Sequence, residues 1–130
     1  PIQHTFTYVN AGHNPPFLLR NKESRIEIAE LEKTGTLVGI FDENTWEKRT
    51  IELNPGEIIV LYTDGITEAQ NKAGEFYGAN RFVSTLENQF NPSATTFRNG
   101  ILENVQAFTG TAPRLDDITL VVIARKDGEN

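Results

Sequence analysis

The sequence predicts an α+β fold in which an antiparallel β-sheet carries helices on one face. Three features of the sequence lead to this prediction. Short runs of β-branched and aromatic residues fill the part before position 63, and apolar residues between positions 82 and 108 recur every three to four residues. A final apolar run, Leu120–Ala124, follows this helical part. The chain has 130 residues, which is the size of a single domain.

The first half of the chain is expected to form strands separated by turns. Turns are predicted where Gly, Pro and Asn cluster, at Ala11–Pro16, Asn21–Ser24 and Asn54–Glu57. The Gly-rich stretch Thr34–Gly39 is predicted to be a loop. The strands expected between these segments are His4–Val9, Phe17–Leu19, Arg25–Leu31, Lys48–Leu53 and Ile58–Tyr62.

Two helices are expected in the second half. The first begins near Ala79, and the second has Ser93 as a candidate N-cap and Gly110 as a candidate C-terminal cap. Their apolar stripes are expected to face the core. The first stripe is Phe82, Val83, Leu86 and Phe90, and the second is Phe97, Ile101, Val105 and Phe108.

The most informative segment is the apolar strand Ile58–Tyr62, because Thr63 and the pair Asp64-Gly65 follow it directly. A carboxylate held at the end of a rigid strand is a good ligand for a hard cation. Gly65 is expected to let the backbone turn sharply at this point. Asp-Gly is also a common turn pair, so a turn without any ligand is the alternative for Asp64.

A second acidic pair, Asp116-Asp117, stands at the entry of the last strand. If the two strands are antiparallel neighbours, the end of one and the start of the other share an edge, and Asp64 and Asp116 converge. Converging carboxylates repel unless a proton or cation lies between them, and their oxygens suit Mg²⁺ or Mn²⁺. The alternative is that Asp116 and Asp117 are solvated loop acids.

Composition excludes several classes of function. The absence of cysteine rules out disulfides, thiolate zinc sites and cysteine nucleophiles, and it fits a reducing, cytoplasmic compartment. The net charge of −6 argues against a nucleic-acid partner, because phosphate contacts need clustered Lys and Arg. No apolar stretch approaches the length needed to span a membrane, so no membrane contact is expected for this segment.

Four stretches, taken together and in order, resemble the metal-dependent protein Ser/Thr phosphatases related to protein phosphatase 2C, in the bacterial SpoIIE/RsbU branch. They are Tyr8–Pro16, Gly35–Gly39, the run from Leu53 through Ala69, and Asp116–Thr119. The likeness covers nearly the whole chain but only the C-terminal half of the family's domain. Residues 1–130 are therefore expected to be the C-terminal portion of such a domain, without its N-terminal half.

The resemblance implies half of a four-layer α-β-β-α sandwich, whose complete site holds two Mn²⁺ or Mg²⁺ ions between two sheets. It gives Asp64 and Asp116 the metal-binding and catalytic roles. The family's first-half ligands have no counterpart here, so the isolated chain is expected to bind metal weakly and to hydrolyse poorly. A general-acid role is the alternative to a structural one for the histidine of the first motif. Supporting or structural positions are expected for Gly65, Asp117, His13 and Gly39.

By resemblance, the expected function is hydrolysis of phosphoserine or phosphothreonine on a regulatory protein of the anti-anti-sigma type, as in partner switching and sigma factor regulation. One alternative is a non-catalytic regulatory or protein-binding half-domain of the same ancestry. Another is an acidic α+β domain whose motifs are only turns. The strands Ile58–Tyr62 and Ile118–Ala124 are too apolar to leave one face in water, which predicts a homodimer or another covering chain.

Overall fold

The computed structural model describes residues 5–8, 14–23, 25–31, 49–113 and 117–125. Strands come first, helices follow, and one strand closes the order, as the sequence predicts. No helix in these ranges is long and apolar enough to cross a membrane. The elements are β1 Thr5–Tyr8, β2 Phe17–Lys22, β3 Arg25–Glu30, β4 Arg49–Glu52, β5 Ile58–Tyr62, α1 Asp64–Thr67, α2 Ala79–Gln89, α3 Ala94–Thr109 and β6 Leu120–Ala124.

Four of the strands form an antiparallel sheet in the order β3-β2-β5-β6, and β1 pairs with β4 in a separate antiparallel ladder. β5 is therefore a central strand, which agrees with its uninterrupted apolar sequence. Phe17 lies opposite Val60, and Tyr62 lies opposite Leu120. Because β5 and β6 are antiparallel, the C-terminal end of β5 and the N-terminal end of β6 share one edge of the sheet.

The helices cover one face of this sheet, which confirms the predicted α+β arrangement. Successive side chains of a strand point to opposite faces, so Leu19, Ile58 and Val60 contribute to the helix-covered side. All three are 0% exposed. Burying an aliphatic side chain of this size stabilises a fold by roughly 1.5–3 kcal/mol. From the helical part, this core includes Ile66, Tyr77, Phe82, Leu86, Phe97, Ile101 and Val105.

The opposite face of the sheet has a smaller apolar cluster. Leu18 and Ile59 are buried there together with Leu31 and Leu53. Val121 lies on the same face by the alternation of β6, and it is 45% exposed. The second face is thus covered over the centre of the sheet and open at the edge formed by β6.

The predicted helix ends are confirmed. α2 begins at Ala79, and the Ser93 hydroxyl oxygen accepts a hydrogen bond from the Thr96 N–H at 3.3 Å at the start of α3. α3 ends at Thr109, and its C-cap Gly110 has a φ of 58°, in the left-handed region that favours glycine. The Gly110 N–H donates to the Gln106 carbonyl at 2.9 Å, which satisfies one of the last carbonyls of the helix.

Two details of the sequence reading were wrong. The predicted turn Asn21–Ser24 is too long, because β2 continues through Lys22 and β3 begins at Arg25. The hairpin loop therefore has two residues, and Glu23 has the positive φ of 55° that is typical of such tight hairpins. The short helix α1 was not predicted, because four residues are too few to show a helical period.

Candidate functional site

The candidate site lies where β5 ends and β6 begins. The Thr63 N–H donates to the Thr119 carbonyl at 3.1 Å, and the Thr119 N–H donates to the Thr63 hydroxyl oxygen at 3.1 Å. A longer contact of 3.5 Å joins the same hydroxyl to the Asp117 carbonyl. These bonds extend the strand pairing past Tyr62, so the segment that carries Asp64 runs beside the one that carries Asp117. The predicted antiparallel pairing of these two strands is confirmed, and the convergence of Asp64 with Asp116, which lies outside the described residues, stays a prediction.

Gly65 is required at this edge for a steric reason. A Cβ at this position would overlap the carbonyl oxygen of Asp117 and would lie 2.8 Å from its carbonyl carbon and 3.3 Å from the Ile118 Cα. Gly65 lies inside α1 and is not among the glycines with positive φ. The chain does turn here, from strand into helix, but Gly65 needs no positive φ for it, and close backbone approach between the two segments explains the glycine.

Asp64 is exposed and is the first residue of α1. Its Oδ1 accepts a hydrogen bond of 2.7 Å from the side-chain Nδ2 of Asn14. The Glu68 N–H donates to the Asp64 carbonyl at 2.8 Å and closes the turn of α1. Asn14 belongs to the segment just before β2, and its contact with Asp64 was not predicted. The sequence shows only that Asn14 belongs to the motif Tyr8–Pro16, and this motif does not indicate which side chain Asn14 contacts.

The end of α1 is tied to the segment that leads into α2. The Gly78 N–H donates to the Thr67 carbonyl at 2.8 Å, and the Tyr77 N–H donates to the Ala69 carbonyl at 2.7 Å. The Thr67 hydroxyl also lies 3.5 Å from the Asp64 carbonyl. The backbone groups of Thr67 and Glu68 therefore help to order the chain after Asp64.

Tyr62 places an aromatic ring directly before this site. Its ring stacks on Phe17 with the centroids 5.5 Å apart and contacts Phe82 at 4.8 Å. The pKa of the Tyr62 hydroxyl is raised, first because burial disfavours the phenolate and then because Glu30 and Asp64 place negative charge nearby. The ring of Tyr62 thus packs against the core directly before the segment that carries Asp64.

The other end of β5 is held by a charged network. Glu57 is 8% exposed, and its Oε1 accepts a hydrogen bond of 2.9 Å from the Asn54 N–H. Its Oε2 lies 2.8 Å from the Arg20 Nε, but the N–H direction does not satisfy hydrogen-bond geometry, so this contact is an ion pair and not a directed bond. Arg125 donates from Nη1 to the Leu53 carbonyl at 2.8 Å. The sequence predicted the turn at Asn54–Glu57, but it did not predict the contacts of Glu57 and Arg125.

Among the described residues, Asp64 supplies a carboxylate that suits a divalent ion. Asp64 is exposed, offers oxygen ligands and stands on a strand end, which fits one side of a Mg²⁺ or Mn²⁺ site. Within the described ranges, no group of three or more His, Cys, Asp or Glu side chains could hold a metal. His13, Gly39 and Asp116 lie outside those ranges, and their roles stay predictions. Asp117 is described, and it contributes its carbonyl to the contact with Gly65.

The comparisons with known sequences agree with this geometry. The family model of Stage II sporulation protein E (SpoIIE) matches residues 1–126. The chain is 31% identical over 119 residues to Protein IcfG of Synechocystis sp., covering 92% of this chain and 18% of that protein. It is 30% identical over 124 residues to Phosphoserine phosphatase RsbU of Bacillus subtilis, covering 95% of this chain and 36% of that protein. The chain therefore spans well under half the length of these relatives.

A solved structure shows the same fold. The SiaA-PP2C domain of Pseudomonas aeruginosa superimposes with a TM-score of 0.74 at 20% identity, covering 94% of this chain and 47% of that chain. Likeness at this identity concerns the fold alone, and the family follows from the match over residues 1–126. The chain belongs to the SpoIIE family and has the fold of part of a PP2C-type phosphatase domain.

Proposed function

We propose that this chain forms part of a metal-dependent protein phosphatase that removes phosphate from serine or threonine of a regulatory protein. The observation that supports the proposal most is the placement of Asp64. An exposed carboxylate stands at the end of a central strand, and the segment beside it leads directly from Asp116 and Asp117. Membership of the SpoIIE family and the likeness to a phosphoserine phosphatase point to the same chemistry.

In this proposal, Asp64 and Asp116 each contribute a ligand to Mn²⁺ or Mg²⁺. Two bound divalent ions in such sites activate water for attack on phosphate and neutralise the charge that develops on the phosphate oxygens. The protein's part is to hold the carboxylates at a fixed separation. Gly65 does this by allowing close backbone contact, and the paired bonds of Thr63 with Thr119 do it by joining the two strand ends.

The proposed substrate is a small phosphorylated regulatory protein of the anti-anti-sigma type, within a partner-switching system that controls a sigma factor. This part of the proposal rests on the family resemblance and on the likeness to RsbU. The cytoplasm is the proposed compartment, since the chain contains no cysteine and the proposed partner switch acts on transcription.

The activity is proposed for a longer polypeptide, because this chain corresponds to 47% of the SiaA-PP2C structure and its described residues include no group of three or more His, Cys, Asp or Glu that could hold a metal. A phosphopeptide assay with Mn²⁺ on two proteins tests this. The 130 residues alone are expected to show negligible turnover. A polypeptide with the N-terminal half of the domain ahead of Pro1 is expected to be active. Full activity of the short chain would contradict the need for the other half.

Within the longer polypeptide, Asp64→Ala is expected to lower the rate by several orders of magnitude, because loss of a ligand displaces the ion. Asp116→Ala is expected to do the same, while Asp117→Ala and His13→Ala cost less. Glu68→Ala is the matched control, because Glu68 is an exposed acid four residues from Asp64. Activity that is indifferent to Asp64→Ala would refute the phosphatase proposal.

A second candidate function is a non-catalytic half-domain that binds a regulatory protein. The observation that favours it is that no group of three or more His, Cys, Asp or Glu side chains within the described part of the chain could hold a metal. The assay on the longer polypeptide separates the two candidates. Absence of turnover in that protein, together with retained binding of the phosphorylated partner, would support the binding module.

A further inference from the structure

We propose that Asn14 is a positioning residue for the metal site, because its side-chain amide fixes the carboxylate of Asp64 in the orientation that binds a divalent ion. This proposal rests on the metal-dependent activity proposed above. The motif that contains Asn14 suggested no such role, and the contact spans 50 positions in the sequence. Asn14 therefore adds to the site a residue from a segment that is distant in sequence from Asp64.

The chemistry of the contact identifies the donor. The distance from Asn14 Nδ2 to Asp64 Oδ1 is 2.7 Å, which is short for a nitrogen donor and typical of a bond to a charged acceptor. An ionised carboxylate can only accept, so the amide nitrogen must face Asp64. A bond to Oδ1 restricts the plane of the carboxylate and leaves Oδ2 to coordinate a cation.

The backbone delivers Asn14 rigidly to this position. Two prolines follow it, and each fixes its own φ near −65°. Pro16 is buried, and its carbonyl accepts a hydrogen bond of 2.8 Å from the Leu31 N–H. β2 then begins at Phe17, opposite Val60 of β5. Asn14 and Asp64 thus extend from neighbouring strands of one sheet, and their separation follows from the strand pairing.

A support of this kind is needed because Asp64 is exposed. An exposed side chain samples several rotamers, and metal binding must then overcome the entropy of selecting one. A hydrogen bond that selects the binding rotamer in advance raises the affinity. Loss of such a partner typically weakens metal binding about 10- to 100-fold.

The test is a Mn²⁺ titration of the ¹⁵N-labelled longer polypeptide that includes the N-terminal half of the domain, followed by paramagnetic broadening of the Gly65 amide signal. Asn14→Leu keeps the size of the side chain and removes the donor, so the apparent Kd is expected to rise about 10- to 100-fold. Asn14→Gln keeps the amide one methylene further out and is expected to restore part of the affinity. Asn88→Leu makes the same substitution at an exposed position of α2 and is expected to change nothing.

The outcomes distinguish this proposal from the proposed function. If Asp64→Ala abolishes the broadening and Asn14→Leu leaves it unchanged, the metal site is supported and the proposed role of Asn14 is overturned. No broadening near Gly65 in the wild-type longer polypeptide at millimolar Mn²⁺ would overturn both. If Asn14→Leu fails to fold, Asn14→Ala also removes the donor and decides the question by the same comparison with Asp64→Ala.

Discussion

Gly65→Ala is expected to separate the two acidic segments and to destabilise the domain. The added Cβ would lie 2.8 Å from the Asp117 carbonyl carbon, whereas carbon atoms pack at about 3.5–4.0 Å. The backbones must therefore move apart by about 1 Å. That movement stretches both hydrogen bonds between Thr63 and Thr119 beyond useful length, at a cost of about 1 kcal/mol each. With the residual strain of overpacking, the expected loss is about 3 kcal/mol.

Gly100→Ala is the matched control, because the same methyl group meets a different kind of neighbour. Gly100 lies within α3, and its Cβ would approach the Oε1 of Gln89 to 2.6 Å. Gln89 is exposed, and its side chain can rotate away. Replacing glycine by alanine inside a helix favours folding by about 1 kcal/mol. Gly100→Ala is therefore expected to be neutral or stabilising.

Thermal unfolding followed by circular dichroism measures both variants. For a domain of this size, 1 kcal/mol corresponds to a shift of about 3–6 °C, so Gly65→Ala should lower Tm by about 10 °C or more. The amide signals of residues 117–119 should also move in Gly65→Ala and stay in place in Gly100→Ala. A Gly65→Ala protein with the wild-type Tm and unchanged signals in this segment would refute the close approach of the two backbones.

Three further predictions concern the frame around the site. Ser93→Ala removes the N-cap bond of α3 and is expected to lower the free energy of unfolding by about 1 kcal/mol, measured by urea denaturation. The pKa of Tyr77 is raised, chiefly by burial, so the folded state holds this proton more tightly than the unfolded state. Stability should therefore fall as pH rises above about 10, and it should fall less in Tyr77→Phe, as thermal unfolding across that range can check. Glu57→Ala leaves the Arg20 guanidinium without its ion-pair partner and should lower Tm more than Glu87→Ala, which removes an exposed acid from α2.

The strands and the two long helices could be predicted because their signals are local. The apolar run of β5 indicates a buried strand within five residues, and Ser93 and Gly110 mark the ends of α3 by their own chemistry. α1 could not be predicted, because its four residues complete barely one turn. The predicted turn at Asn21–Ser24 was too long, because polar residues at the end of a short strand resemble turn residues in sequence.

The candidate site was predictable only in part, for a physical reason. The sequence identifies Asp64 by its place at a strand end, and antiparallel pairing then predicts which edge it occupies. The bond from Asn14 depends on the register between β2 and β5, which no local pattern records. The need for glycine at position 65 likewise depends on how closely the backbone of Asp117 approaches it. A glycine that allows a turn and a glycine that allows close backbone contact cannot be distinguished in the sequence.

The exposure of the site and the exposure of the sheet have a common explanation under the proposed function. Leu61 lies opposite Val121 on the face away from the helices, one residue before Tyr62 and three before Asp64. Val121 is 45% exposed, whereas Ile59, nearer the centre of the same face, is 0% exposed. An exposed part of this apolar face therefore adjoins Asp64, and the described residues include no group of three or more His, Cys, Asp or Glu that could hold a metal there. A second sheet packed on this face would bury the valine and could bring the remaining ligands to Asp64 in the same step, which predicts that metal affinity and protection of this face from solvent are gained together.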